Sequence, residues 1–113
     1  MNLETKKWLQ DILQASRDIE EYMAGLQFDD FLTNGMAQAA VERKFEIIGE
    51  ALNRMCRCDP AFAERISDYQ RIIGLRNIIA HGYDAVDVEI LWDAVRNHLP
   101  VLIREVEELL EVG

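Results

Sequence analysis

The stretch that decides the fold is Asp87-Val88-Glu89-Ile90-Leu91-Trp92-Asp93-Ala94-Val95-Arg96-Asn97-His98-Leu99-Pro100-Val101-Leu102-Ile103-Arg104-Glu105-Val106-Glu107-Glu108-Leu109-Leu110. Val88, Leu91, Trp92, Val95, Leu99, Leu102, Ile103, Val106, Leu109 and Leu110 recur at spacings of three and four, the period of an amphipathic α-helix. Asp87 stands where a helix takes its N-cap. The stripe continues across Pro100, which predicts a kink and not a break.

Working outward, the same period governs the rest of the chain. A first helix is expected over about Leu3 to Ala24, with Trp8, Leu9, Ile12, Leu13, Ile19, Tyr22 and Met23 on one stripe and Gly25 as its stop. Asp29 and Asp30 are expected to cap an element starting around Phe31. Thr33-Asn34-Gly35 breaks or bends the chain before a long helix that ends near Arg57. That helix carries Ala37, Ala40, Val41, Ile48, Ala51, Leu52 and Met55 on one side. Asp59-Pro60 places a cap before a proline at the first helical position, opening a short helix over Ala61 to Ile66. Another helix spans Gln70 to His81, with Ile72, Ile73, Leu75, Ile78 and Ile79, and Gly82 ends it. No alternation of apolar and polar residues suggests a strand. The expected fold is all-α: an up-and-down bundle of four to five helices in a single domain over residues 1–113. The long apolar stripe of the last helix makes a second copy a natural partner, so a homodimer is expected.

The chain has 113 residues, half of them hydrophobic and 29% charged. No apolar run reaches the ~18–20 residues needed to span a bilayer. The N-terminus has no apolar stretch behind a basic start, so no secretory signal is visible. Cys56 and Cys58 form neither a disulfide framework nor a four-ligand zinc motif. Two reduced thiols fit a cytoplasmic location.

The net charge of −9 argues against a general nucleic-acid binder, but the charge is unevenly spread. From Ala51 to Tyr83 five arginines (Arg54, Arg57, Arg65, Arg71, Arg76) face three acids, and Tyr69 to Tyr83 contains no acid. A local basic site on an acidic body is the expectation.

The chemistry-bearing segment is Leu75-Arg76-Asn77-Ile78-Ile79-Ala80-His81-Gly82-Tyr83. Asn77 and His81, four apart, share a helix face. Arg76 and His81, five apart, diverge by about 140°. One helix therefore cannot direct both at one phosphate without unwinding at Gly82 or help from a second subunit. His81 sits in a last helical turn, where the negative end of the dipole favours the imidazolium and moves its titration towards physiological pH. Such a histidine can act as general acid or base. An arginine holds a phosphate with a bidentate fork and stabilises charge building on it. RNA brings its own nucleophile, the 2′-hydroxyl, so these two groups suffice without a metal or other cofactor. The same residues also fit plain structural roles. His81 suits a C-terminal charge partner, Arg76 a surface or interface residue, Asn77 a helix–helix hydrogen bond and Tyr83 a packed loop anchor. His98, Trp8 and Trp92 read as structural.

The pattern as a whole resembles the HepT-like ribonuclease toxins of the HEPN superfamily. The signature is Arg, a polar residue, three more, His, any residue, Tyr, and it stands here as Arg76 to Tyr83 without departure. Ile48-Gly49-Glu50-Ala51, Gly74-Leu75, Val86-Asp87, Trp92 and Leu99-Pro100 match further landmarks in order, over nearly the full length. The resemblance implies a dimeric helical bundle with two motifs facing across a cleft, forming a composite, metal-independent endoribonuclease site. Arg76 and His81 would be catalytic and Asn77 would orient. Cleavage by the 2′-hydroxyl would leave a cyclic phosphate. The implied partners are an RNA substrate, a second copy, and a minimal nucleotidyltransferase antitoxin that transfers AMP onto Tyr83, with no DNA and no membrane. Added bulk and negative charge two residues from His81 would block the cleft and repel RNA. An alternative also fits: a non-catalytic helical subunit that binds a nucleotidyltransferase and supplies part of its substrate pocket. The charge of −9 suits that alternative, and the intact His81 and Tyr83 suit the nuclease.

Overall fold

The first helix, α1 (Leu3–Met23), and the third, α3 (Gly35–Cys58), lie antiparallel. Asp18, late in α1, pairs with Lys44, early in α3, at 2.9 Å. The Thr5 hydroxyl, at the start of α1, donates to Asp59, just past the end of α3, at 3.0 Å. The computed structural model describes residues 1–81 and 87–112, with the side chains of all of these except 80, 81 and 112.

Local chemistry sets the boundaries. Asn2 caps α1 by accepting from the Thr5 N–H, and Gly25 turns the chain at φ +79°, a left-handed conformation open to glycine. Helix α2 (Phe28–Leu32) begins three residues before the expected Phe31. Its cap is Gln27, and Asp30 supports the cap from inside the helix by accepting from the Gln27 N–H at 2.9 Å. The Thr33-Asn34-Gly35 stretch breaks the chain, because the Asn34 side chain accepts from the Ala37 N–H and starts α3 anew. Pro60 opens α4 (Pro60–Ala63), a shorter helix than the expected Ala61 to Ile66. The Asp59 carboxylate does not cap it, being taken by Thr5.

Helix α5 (Tyr69–His81) starts where Asp68, at φ 58°, turns the chain and accepts from Arg71 and Ile72. The expected stop at Gly82 lies outside the described residues. The last rod is α6 (Val88–Asp93), capped by Asp87 as expected, then one π-helical turn (Ala94–His98), then α7 (Leu99–Val112). The expected kink at Pro100 takes the form of that wide turn. The Leu99 N–H donates to the Ala94 carbonyl five residues back. Pro100 has no N–H and would crowd the carbonyl four residues back, and widening the preceding turn accommodates both defects.

The bundle is all-α among the described residues and is built on four rods: α1, α3, α5 and the α6–α7 rod. Helix α3 packs on α1 and on α5, and α7 packs on α1. Leu9, Ile12, Ile19, Phe45, Ile48, Leu52, Met55, Leu99, Leu102 and Val106 are fully buried between them. Burying each such side chain stabilises the fold by roughly 1.5–3 kcal/mol. Phe45, absent from the expected stripe of α3, is one of the two largest of the fully buried side chains. Cys56 and Cys58 are free thiols. No helix among the described residues is long and apolar enough to cross a membrane.

Candidate functional site

The site is built where α5 crosses α3. Gly49 lies mid-way along α3, where glycine normally costs about 0.5–1 kcal/mol relative to alanine. A Cβ there would lie 2.2 Å from the Arg76 Cβ, 2.7 Å from its Cγ and 3.4 Å from the Ile72 carbonyl oxygen. The bare glycine therefore lets α5 approach at the level of Arg76. Ile72 and Leu75 are buried beneath the contact and fix the rotation of α5.

That rotation sets Arg76 beside the next residue of α3. An Arg76 η-nitrogen donates to the Glu50 carboxylate at 2.5 Å, and the other donates to the Asn77 side-chain oxygen at 3.0 Å. The Arg76 side chain is mostly enclosed, at 25% exposure. The second Glu50 oxygen accepts from Arg54 Nε at 3.2 Å. Among the described residues, two of the five N–H donors of Arg76 are thus engaged. The result is a charged side chain whose direction is set by partners on both sides.

Arg76 also lines a groove of about 390 Å³ whose floor is the α1–α3 seam. Arg54, Arg43 and Lys7 bring further positive charge to it, and Trp8 and Ile47 bring apolar surface. Arg65 and Arg71 of the basic segment are engaged elsewhere. Arg65 stacks over Phe62, and Arg71 meets the His98 ring at 3.2 Å. The local basic site expected from residues 51–83 therefore draws on Arg54 and Arg76 from that segment and recruits Arg43 and Lys7 from outside it.

Of the four residues singled out in the sequence, Arg76 and Asn77 are brought into contact. His81 is the last residue of α5, so it shares one helix with Arg76. Its side chain and the whole of Tyr83 lie outside the described residues. Glu50 was legible only as part of a motif. The signal that could have found it is the unfavourable mid-helix glycine immediately before it. His98, read as structural, lies between Asp68 (Nδ1, 3.4 Å) and Asp93 (Nε2, 3.3 Å) and ties the π-turn to the start of α5. The Asp93 carboxyl is held below its ordinary value by the Asn97 amide first, with His98 and Arg71 adding to it.

A second cavity, of about 520 Å³, opens between α5 and α6. Ile78 and Ile90 on its walls are 54% and 49% exposed.

With this geometry in view, comparison with known proteins is decisive about family. The family model described as "Ribonuclease HepT-like" matches residues 12–109. The chain belongs to the HepT-like ribonuclease family. A protein of Methanocaldococcus jannaschii, provisionally named an RNase, is 36% identical over 106 residues, covering 92% of this chain and 94% of the relative. A protein of Thermococcus cleftensis, provisionally named ribonuclease HepT, is 35% identical over 104 residues, covering 92% and 94%. A third relative, from Caldanaerobacter subterraneus and also provisionally named an RNase, is 31% identical over 108 residues, covering 94% of each chain.

Proposed function

We propose that this chain is an endoribonuclease toxin that acts as a homodimer, one helical domain over residues 1–113 in each protomer. The observation that carries the reading is Arg76, mostly buried and oriented by Glu50 and Asn77, on the same helix as His81. His81 takes the proton from a ribose 2′-hydroxyl. The 2′-oxygen attacks the adjacent phosphorus and the 5′-oxygen leaves, taking the proton that His81 removed from the 2′-hydroxyl. The products are a 2′,3′-cyclic phosphate and a 5′-hydroxyl end. Arg76 binds the equatorial oxygens and stabilises their growing charge, the largest kind of contribution in such sites. Asn77 orients the guanidinium.

The divergence of about 140° between Arg76 and His81 on one helix is why two copies are needed, each supplying the group that the other cannot direct. The exposed Ile78 and Ile90 beside α5 support a partner surface near the motif. No step of this reaction calls for a metal ion or cofactor. The companion protein would be a minimal nucleotidyltransferase antitoxin that transfers AMP from a nucleoside triphosphate to the Tyr83 hydroxyl and releases pyrophosphate. The added phosphate would repel RNA, and the pair would act in the cytoplasm.

The test is cleavage of a single-stranded RNA by the purified chain in EDTA. A 2′,3′-cyclic phosphate product, abolished by 2′-O-methyl substitution at the cut, is expected. Loss of activity in EDTA, or a 3′-hydroxyl product, would overturn the mechanism. The net charge of −9 favours a second reading, a non-catalytic subunit of a nucleotidyltransferase. It predicts a stable heteromeric complex and no growth arrest when the chain is expressed alone.

A further inference from the structure

The groove beside Arg76 has a composition that catalysis at one phosphate does not use. Arg43, Ile47, Glu50 and Arg54 follow one another at spacings of four, three and four, so they form a single stripe along α3. Facing them across the seam are Lys7, Trp8 and Asp11 of α1, and Arg76 closes the α5 side. Trp8 is half-buried, seated against the core, with the rest of its indole in the groove wall. Four cations thus meet three acids, so the groove is positive on a chain whose net charge is −9.

Three of the cations are loosely held. Lys7 pairs with Asp11 at 3.0 Å, Arg43 with Glu46 at 3.7 Å and Arg54 with Glu50 at 3.2 Å. Their side chains are 73%, 69% and 57% exposed. Ion pairs this exposed are worth about 0–1 kcal/mol, so an incoming phosphate displaces a carboxylate at little cost. Arg43 and Arg54, eleven residues apart on one helix, are separated by about 16 Å along its axis. One mononucleotide cannot bridge that span, whereas a strand can. Phosphate-tracking cations with an interleaved aromatic face are the composition of a single-strand channel.

We propose that this groove binds the stretch of single-stranded RNA adjoining the scissile phosphate, with a base stacked on Trp8 and neighbouring phosphates on Arg43, Arg54 and Lys7. The proposal rests on the ribonuclease reading of Arg76 and adds the path of the substrate. It makes the groove indifferent to base identity at the Trp8 position, since every base has a π-face to stack.

The test uses the full chain and an uncleavable 2′-O-methyl oligoribonucleotide, which separates binding from cleavage. In Trp92→Phe, Trp8 is the only indole, and its fluorescence should be quenched as the strand is added, with AMP alone quenching weakly. Arg43→Gln and Arg54→Gln change exposed side chains and leave the core intact. Each should lower the slope of log Kd against log salt by ~0.7. Trp8→Ala should weaken binding about tenfold or more, and Trp8→Phe should restore most of it.

Unquenched Trp8, or unchanged Kd and salt slope in both arginine variants while the wild type still cuts RNA, would overturn the groove and leave the nuclease standing. Quenching and the expected slopes with no cleavage of native RNA would support the groove and remove the nuclease. Variants that bind RNA normally but no longer bind a nucleotidyltransferase would reassign the groove to the protein partner and overturn the proposal.

Discussion

Gly49 and Arg76 share a space that admits only one side chain: a Cβ on Gly49 would stand 2.2 Å from the Arg76 Cβ. At an ordinary exposed mid-helix position, replacing glycine by alanine stabilises by about 0.5–1 kcal/mol. Here the overlap reverses the sign. Gly49→Ala is expected to destabilise the protein by about 1–3 kcal/mol, the usual range for overpacking, and to lower cleavage by moving α5. Thermal melts and RNA cleavage assays at a permissive temperature check both effects. A rise in melting temperature would mean that the two helices are not held this closely.

In the proposed mechanism Glu50 acts through Arg76, whose guanidinium it holds. Glu50→Gln keeps an acceptor but removes the charge that holds the guanidinium. A displacement of about 1 Å at such a group costs on the order of 10²-fold in rate. The expectation is a fall in kcat of about ten- to a hundredfold, little change in KM, and partial rescue by Glu50→Asp. Steady-state kinetics make the check. An equal change in KM alone would assign Glu50 to substrate binding.

Two carboxylates should oppose one another in their pH dependence. The Asp18 carboxyl is held below its ordinary 3.8, first by the hydrogen bond from Lys44 and then by that from Gln14. A depressed folded value gives stability that is present above the unfolded value and lost as pH falls through the folded one. Asp18→Asn should therefore lower the melting temperature at pH 7, and its difference from wild type should vanish as pH falls through the lowered folded value. The Glu42 carboxyl is raised above its ordinary 4.5, by burial first and by the Glu46 charge second. Its ionised form is disfavoured in the fold, so Glu42→Gln should raise the melting temperature at pH 7, with the gain disappearing below about pH 4. Melting curves of both variants across pH 3–7 carry the test.

Much of the fold could be read from helical stripes and caps, and the exceptions have physical reasons. The stripe expected for α1 is buried or half-buried except for Tyr22, which is 42% exposed, and the stripe of the last rod stays on the inner side despite the π-turn at Ala94–His98. Phe45 escaped because it is flanked by Arg43, Lys44 and Glu46, so its short neighbourhood reads as a charged surface. Pro100 announces a disturbance but not its form, since a kink and a widened turn both answer a missing N–H.

The site was legible where it is local and opaque where it is not. Arg76 and Asn77 are neighbours in the chain and touch in the fold. Glu50 is 26 positions away, and no spacing rule links it to Arg76. The basic segment misleads for a related reason. Arg71 and Arg76 lie five apart on one helix and so point about 140° from each other, one towards His98 and the other towards Glu50.

The central claim is that each active site draws Arg76 from one protomer and His81 from the other, and mixed dimers test it directly. Arg76→Ala and His81→Ala are purified separately and should each be inactive on single-stranded RNA in EDTA. Unfolded, combined in equal amounts and refolded together, they should recover about a quarter of wild-type activity, since half the dimers are mixed and one of the two sites in each is whole. A mixture that forms mixed dimers yet stays inactive, or a single variant that still cuts, would contradict the account.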